Sequence, residues 1–299
     1  MNITLCTDLD RTLLPNGLQK SDPQAIPVLS KLIKQKDITL VYVTGRDKKL
    51  VEQAIEEYQL PIPDHTITDV GTQIYRISAN STSEKYSWDS DDNYRQYLQK
   101  DWDSSKLKLI MPQLAVVPNL RLQEPEKQSQ FKLSYYIDNQ ADATLLDQKV
   151  KKICITNGLA CNIISSHDET TDIGLLDILP AVASKYHAIR FLMDKYRIVS
   201  KEIIFCGDSG NDMEVAVSEI PSVLVNNTQH AVKQHALQLV EQNHHAEQLY
   251  IAKGDFYGLN GCYCSGILEG LAYYYAEFEK IIAEQMAEYL NHQAERSRS

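Results

Sequence analysis

The runs Ile38–Val43 (ITLVYV) and Glu202–Cys206 (EIIFC) constrain this chain most, because they are apolar almost throughout and rich in β-branched residues. A half-exposed strand alternates apolar and polar residues. A run that is apolar on both parities is buried on both faces, as in a parallel sheet covered by helices. The flanking sequence agrees. Ile3–Thr7 is a shorter strand-like run, and Ser21 and Asp22 before Pro23 predict a helix start. Ile26, Leu29, Leu32 and Ile33 follow at helical spacing. Leu50, Val51, Ala54, Ile55 and Tyr58 mark a second helix that stops before Pro61 and Pro63. Thr66–Val70, ending at Gly71, predicts a third strand.

The same alternation returns later. A strand is predicted at Leu175–Leu179, a helix from Ala183 to about Tyr196, a short helix near 211–217, a strand at Ser222–Val225 and a helix over 229–240. Gly266 to about Gln293 reads as one long helix, and the last residues as a frayed tail. Strands separated by helices in this way predict an α/β fold, a Rossmann-like parallel sheet with helices on both faces. The intervening stretch differs. Residues 79–106 are dense in Ser, Asp, Asn and Tyr, with a polar helix predicted around 91–103 and helical patterning again at Leu107–Leu114. Phe131–Ile137 and Leu159–Ser165 read as strands around a helix at Ala143–Thr156. An α+β unit is therefore expected at 81–174, inserted into a discontinuous core of 1–80 and 175–299. A length of 299 residues suits two domains and needs no disulfide or metal to hold the fold.

Composition narrows the partners. With 43% hydrophobic and 23% charged residues the chain is globular rather than disordered. Its 30 Lys+Arg against 40 Asp+Glu give a formal net charge of −10, which argues against nucleic acid and anionic membrane as partners. The opening MNITLCTDLDRT lacks a basic n-region and a long apolar core, and no apolar run approaches the ~20 residues that span a bilayer. A cytoplasmic location follows as the expectation. The six cysteines fit a reducing compartment, and the glycosylation pattern Asn80-Ser81-Thr82 then reads as a chance match.

Four groups of residues could carry chemistry. Asp8 and Asp10, in TDLDRTLL, leave a predicted strand at its carboxyl end, where ligands bind in open parallel sheets. Alone they would be two solvated turn aspartates before Pro15-Asn16-Gly17. Thr44-Gly45-Arg46 follows ITLVYV, and a Thr hydroxyl with a Gly N–H can hold a phosphate oxygen, although T-G is also a common strand exit. Gly207-Asp208-Ser209-Gly210-Asn211-Asp212 is a tight acidic loop of hard oxygen ligands suited to Mg²⁺, or a simple Gly/Asp turn. It lacks the spacing of an EF-hand. Lys185 opens a predicted helix, against the macrodipole, and by itself reads as a solvated lysine.

Taken in order, Asp8-x-Asp10-x-Thr12, Thr44-Gly45, Lys185 and Gly207-Asp208-x-x-x-Asp212 resemble the haloacid dehalogenase superfamily of phosphatases. The stretches TDVGTQIY (69–76), FKLSYYIDN (131–139), LDILPAVASK (176–185), CGDSGNDMEV (206–215) and SGILEGL (265–271) are similar to its sucrose-phosphate phosphatases. The chain departs from that pattern at Tyr186-His187, at Asp168–Gly174 and in the extended last helix. The resemblance implies a catalytic core with an inserted cap that reads the sugar. It implies Asp8 as nucleophile, forming an aspartyl-phosphate, and Asp10 as general acid and base. Mg²⁺ would be held by Asp8, the backbone carbonyl of Asp10 and Asp208, with Asp212 completing the metal set and orienting Lys185 and water. Thr44, Gly45, Lys185 and Asn211 would hold the phosphate. Lys132, Tyr135, Tyr136 and Asp177 are the sugar-reading candidates, tyrosines in a strand being otherwise packing residues. The expected partners are a small-molecule sugar phosphate, sucrose 6-phosphate first, and a sugar-phosphate synthase of the same pathway. A mannosylfructose-phosphate or glucosylglycerol-phosphate phosphatase, a phosphomutase and a non-catalytic sugar-phosphate-binding module are the other readings. The last is disfavoured because both Asp8 and Asp10 are present.

Overall fold

Strand Thr4–Thr7 pairs in parallel with Ile203–Gly207 on one side and Thr39–Val43 on the other, with Thr7 opposite both Cys206 and Tyr42. The sheet continues from Ile203–Gly207 to Ser222–Leu224 and then Leu249–Ile251, again in parallel. Thr39–Val43 and Ile203–Gly207 fall on the two runs that the sequence marks as buried on both faces, and Leu5, Leu40, Phe205 and Val223 are 0% exposed. Each such side chain contributes about 1.5–3 kcal/mol of burial. Helices cover both faces. Leu224 packs with Ala216 of helix Met213–Ala216, Val217 just after it, and Ala236 and Val240 of helix His230–Gln242. Its neighbour Val223, pointing the other way, lies against Gly270 of helix Cys264–Tyr274.

This computed structural model describes residues 2–79, 86–100, 102–138, 142–168 and 172–296. Asn80-Ser81-Thr82, residues 169–171 of the Asp168–Gly174 stretch and the last three residues of the tail lie outside them. The chain divides into two compact units, residues 1–43, 49–65 and 193–299 in the first, and 44–48 and 66–192 in the second. No helix among the described residues is long and apolar enough to cross a membrane.

Within the second unit, Gln73–Ala79 and Tyr86–Ser90 form an antiparallel hairpin. Leu120–Leu122, Leu133–Ile137, Ile173–Pro180 and Cys161–Asp168, in that spatial order, form an antiparallel sheet. Its helices Asp92–Gln99, Ser104–Leu114 and Ala143–Thr156 each start at an aspartate, Asp91, Asp103 or Asp142, whose carboxylate accepts from a first-turn N–H.

Several elements differ from their sequence-based forms. The last helix is two helices, Cys264–Tyr274 and Ala276–Arg296. The break falls at Tyr275, whose φ of −132° and ψ of 86° leave the helical region. The Tyr275 hydroxyl donates to the Ile203 carbonyl at 3.3 Å, and its ring packs on Phe278. Apolar periodicity runs unbroken through this kink, so spacing alone does not reveal it. The first helix starts at Ala25 rather than behind Asp22. Asp22 instead accepts from the Asn260 N–H at 2.8 Å and the Ser265 hydroxyl at 2.7 Å. The hairpin, Leu120–Leu122 and Leu249–Ile251 were not predicted as strands. The hairpin sequence is rich in Ser and Asp, and it is held by a Ser78–Ser87 hydrogen bond and a Tyr75–Trp88 edge contact across the strands.

Candidate active site

In the first unit, adjacent strands deliver two acids to one place. The Asp8 N–H donates to the Cys206 carbonyl at 2.9 Å, so the ladder between Thr4–Thr7 and Ile203–Gly207 runs on to Asp8. Asp208 follows the neighbouring strand directly. Among the described residues, Asp8, Asp208 and Asp212 offer carboxylate oxygens that all lie within 4.8 Å of one another, and all three residues are buried. The loop is shaped by Asp212. Its Oδ2 accepts from the N–H groups of Asp208 and Ser209, both at 3.0 Å. Gly207 permits this, since a β-carbon there would lie 2.6 Å from the Asp212 carboxyl carbon. Thr12 donates to Asp208 Oδ1 at 3.2 Å, which gives the threonine of the D-x-D-x-T motif a contact. Asn211 Oδ1 accepts from the Ser209 hydroxyl at 3.1 Å.

Three carboxylates this close repel one another, by ~4 kcal/mol per pair at 4 Å and an effective dielectric of ~20. A buried set of hard oxygen donors fits a divalent cation such as Mg²⁺ or Ca²⁺. Asp10 is not part of the trio. Its Oδ1 accepts from Asn16 Nδ2 at 2.7 Å. Sequence reading missed Arg11, whose guanidinium lies 3.1 Å from Asp208 Oδ2. A single arginine in a turn carries no periodic signal that would reveal such a contact.

In the second unit, Thr44 is fully buried. Its N–H donates to Ile67, its carbonyl accepts from Val70 and its hydroxyl accepts from the Arg46 N–H. Gly45 lies beside it in open surroundings, the nearest atom to a β-carbon there being Val70 Cγ2 at 3.7 Å. Lys185 begins helix Lys185–Tyr196 and is 1% exposed, so it is a buried lysine and not a solvated one. Lys132 is also buried and pairs with Asp69 at 3.0 Å. Asp177, opposite Ser134 in the antiparallel sheet, accepts from the Ser134 hydroxyl. Tyr135 is buried in the sheet, whereas Tyr136 turns outward, donates to Glu124 at 2.7 Å and carries Arg121 over its ring.

Burial raises the Asp177 carboxyl above its ordinary value, and Asp69 adds to this, while Lys132 and Ser134 pull the other way. A raised native value means that the folded chain keeps a proton that the unfolded chain has lost. The stability linked to it is full below the ordinary carboxylate value and is lost as pH rises through the native one. Melting temperature measured against pH should therefore fall more steeply in the wild type than in Asp177→Asn across that window. Parallel curves would show that Asp177 does not titrate in this way.

A family profile described as sucrose-6F-phosphate phosphohydrolase matches residues 1–275. The chain belongs to that family. A protein of Nitrosococcus oceani described as "Putative HAD-like hydrolase" is 45% identical to it over 275 residues, 92% of this chain and 72% of that protein. Sucrose-phosphatase 1 of Nicotiana tabacum is 29% identical over 244 residues, 78% of this chain and 52% of its own, so the chain spans about half the length of that plant relative. The solved structure of the sucrose-phosphatase of Synechocystis sp. PCC6803 in complex with sucrose and phosphate superposes with a TM-score of 0.72 at 25% identity. It covers 92% of this chain and 98% of that one. The chain is thus a phosphoric monoester hydrolase with a haloacid dehalogenase core and a cap, as its motifs led one to expect.

Proposed function

We propose that the sugar phosphate hydrolysed by this phosphatase is sucrose 6-phosphate, that the reaction passes through an aspartyl-phosphate on Asp8, and that Mg²⁺ is the cation. The observation that carries the substrate is the likeness to the Synechocystis enzyme, whose structure holds sucrose and phosphate. The buried Asp8, Asp208 and Asp212 trio supports the cation. When bound, Mg²⁺ would neutralise charge on the transferring phosphoryl group. Asp8, Asp208, Asp212 and the Asp10 carbonyl are the residues assigned to hold it.

In this reading an Asp8 carboxylate oxygen attacks phosphorus, and the bond from phosphorus to the sugar oxygen breaks. Asp10 gives its proton to the departing oxygen. It then takes a proton from the water that attacks the aspartyl-phosphate, and phosphate leaves. Asn16 holds the Asp10 carboxylate in one orientation for both transfers. Thr44, Gly45, Lys185 and Asn211 are assigned to the phosphate, and Lys132 and Asp177 to the sugar. Residues 81–174 are assigned to a cap that excludes water and selects the sugar.

The test is phosphate release from a panel of sucrose, mannosylfructose, glucosylglycerol, trehalose and hexose phosphates, with and without Mg²⁺. Sucrose 6-phosphate should have the highest kcat/KM, and chelation should abolish release. A higher value for another member would reassign the substrate. Isomerisation of a hexose phosphate with little phosphate release would make the enzyme a mutase.

A further inference from the structure

We infer that Arg11 is a resident counter-cation of the acidic trio, and that a divalent cation binds there in competition with it. This rests on the metal reading above. Asp208 Oδ1 accepts from the Thr12 hydroxyl at 3.2 Å, and Oδ2 lies 3.1 Å from the Arg11 guanidinium, an ion pair rather than a hydrogen bond. The pair is largely shielded from water, the two side chains being 12% and 2% exposed. Little screening weakens it there.

The turn is built to aim this side chain. The Arg11 N–H donates to Asn16 Oδ1 at 2.8 Å, and its carbonyl accepts from Asn227 Nδ2 at 2.7 Å. Asn227 is fixed in turn, its Oδ1 accepting from the Tyr263 N–H at 2.8 Å. Arg11 has a φ of 59°, a left-handed conformation that costs free energy for a residue with a β-carbon. The fold therefore holds a strained backbone where it places a guanidinium on Asp208.

That placement has a consequence for metal uptake. A Mg²⁺ ion sits about 2.0–2.1 Å from its oxygen ligands. A dication at that distance from Asp208 Oδ2 would repel a guanidinium held on the same oxygen. Arg11 must yield the oxygen when the metal enters. It thus stabilises the metal-free trio and lowers the affinity for the metal, as a positioning residue acting through Asp208.

The experiment is calorimetric titration of the full chain with Mn²⁺ and with Mg²⁺, on the wild type, Arg11→Met and Arg11→Lys, together with melting curves in chelator. Methionine keeps the β-carbon, so backbone strain is matched between the wild type and Arg11→Met. Arg11→Met should bind the metal roughly tenfold more tightly and melt at a lower temperature in chelator, with Arg11→Lys between the two. A role in folding alone would weaken metal binding, not tighten it. Equal or weaker affinity in Arg11→Met overturns the inference. If that variant does not fold, affinity in Arg11→Lys equal to or below that of the wild type overturns it. A wild type that takes up no divalent cation overturns the metal reading itself, which separates the two failures.

Discussion

Asp8→Asn is expected to lose phosphate release by at least about 10³-fold while remaining folded. An amide oxygen is a poor nucleophile toward phosphorus, and no other carboxylate replaces it. Asp208 is tied to Thr12 and Arg11, and Asp212 to the backbone of its own loop. Stability should move the other way. Asp8 is buried, and its carboxylate lies within 4.8 Å of two others, so neutralising it removes repulsion in the metal-free protein. Activity falling while the melting temperature in chelator holds or rises would mark Asp8 as a residue kept for chemistry. Retained activity would exclude covalent catalysis by Asp8, and a large drop in melting temperature would make it a structural aspartate.

The largest stability effect is expected at Gly71. It has a φ of +91° and follows Asp69 and Val70, which are also left-handed at 51° and 59°. A β-carbon on Gly71 would lie 2.3 Å from the carbonyl carbon and oxygen of Ser184 and 2.7 Å from the Lys185 nitrogen. Those are backbone atoms at the start of helix Lys185–Tyr196, so relief requires moving the helix start. The Gly71 carbonyl also accepts from the buried Tyr94 hydroxyl at 2.6 Å. Gly71→Ala should cost more than about 3 kcal/mol, the sum of an unfavourable φ and a backbone overlap. Gly45→Ala, with nothing nearer than 3.7 Å, should stay within about 0.5 kcal/mol. Urea unfolding of the two variants measures both, and equal midpoints would mean that Gly71 is not held against Ser184 as described.

Part of this was legible in the sequence because it rests on local pattern. ITLVYV and EIIFC announced strands buried on both faces, and Asp8 and Asp208 were findable because each follows a strand-like run, Ile3–Thr7 and EIIFC. What stayed hidden depends on partners distant in the chain. Lys185 taken by itself read as a solvated lysine, and only the motif order singled it out, because its burial is decided by tertiary packing, including Gly71 at its N-terminal end. Asp22 looked like a helix start until Asn260 and Ser265 claimed its carboxylate. Arg11 was not singled out at all, and its direction is set by Asn16 and Asn227. The break at Tyr275 left no mark on the apolar spacing, because the residues on either side keep facing the core.

Covalent catalysis by Asp8 can be tested directly by acid-quenching the metal-loaded enzyme during turnover of sucrose 6-phosphate carrying a radiolabelled phosphate. The label should be found on the peptic peptide that contains Asp8, be released by hydroxylamine as an acyl phosphate, and disappear in Asp8→Asn. Phosphate release without any labelled protein, or label on a different peptide, would contradict it.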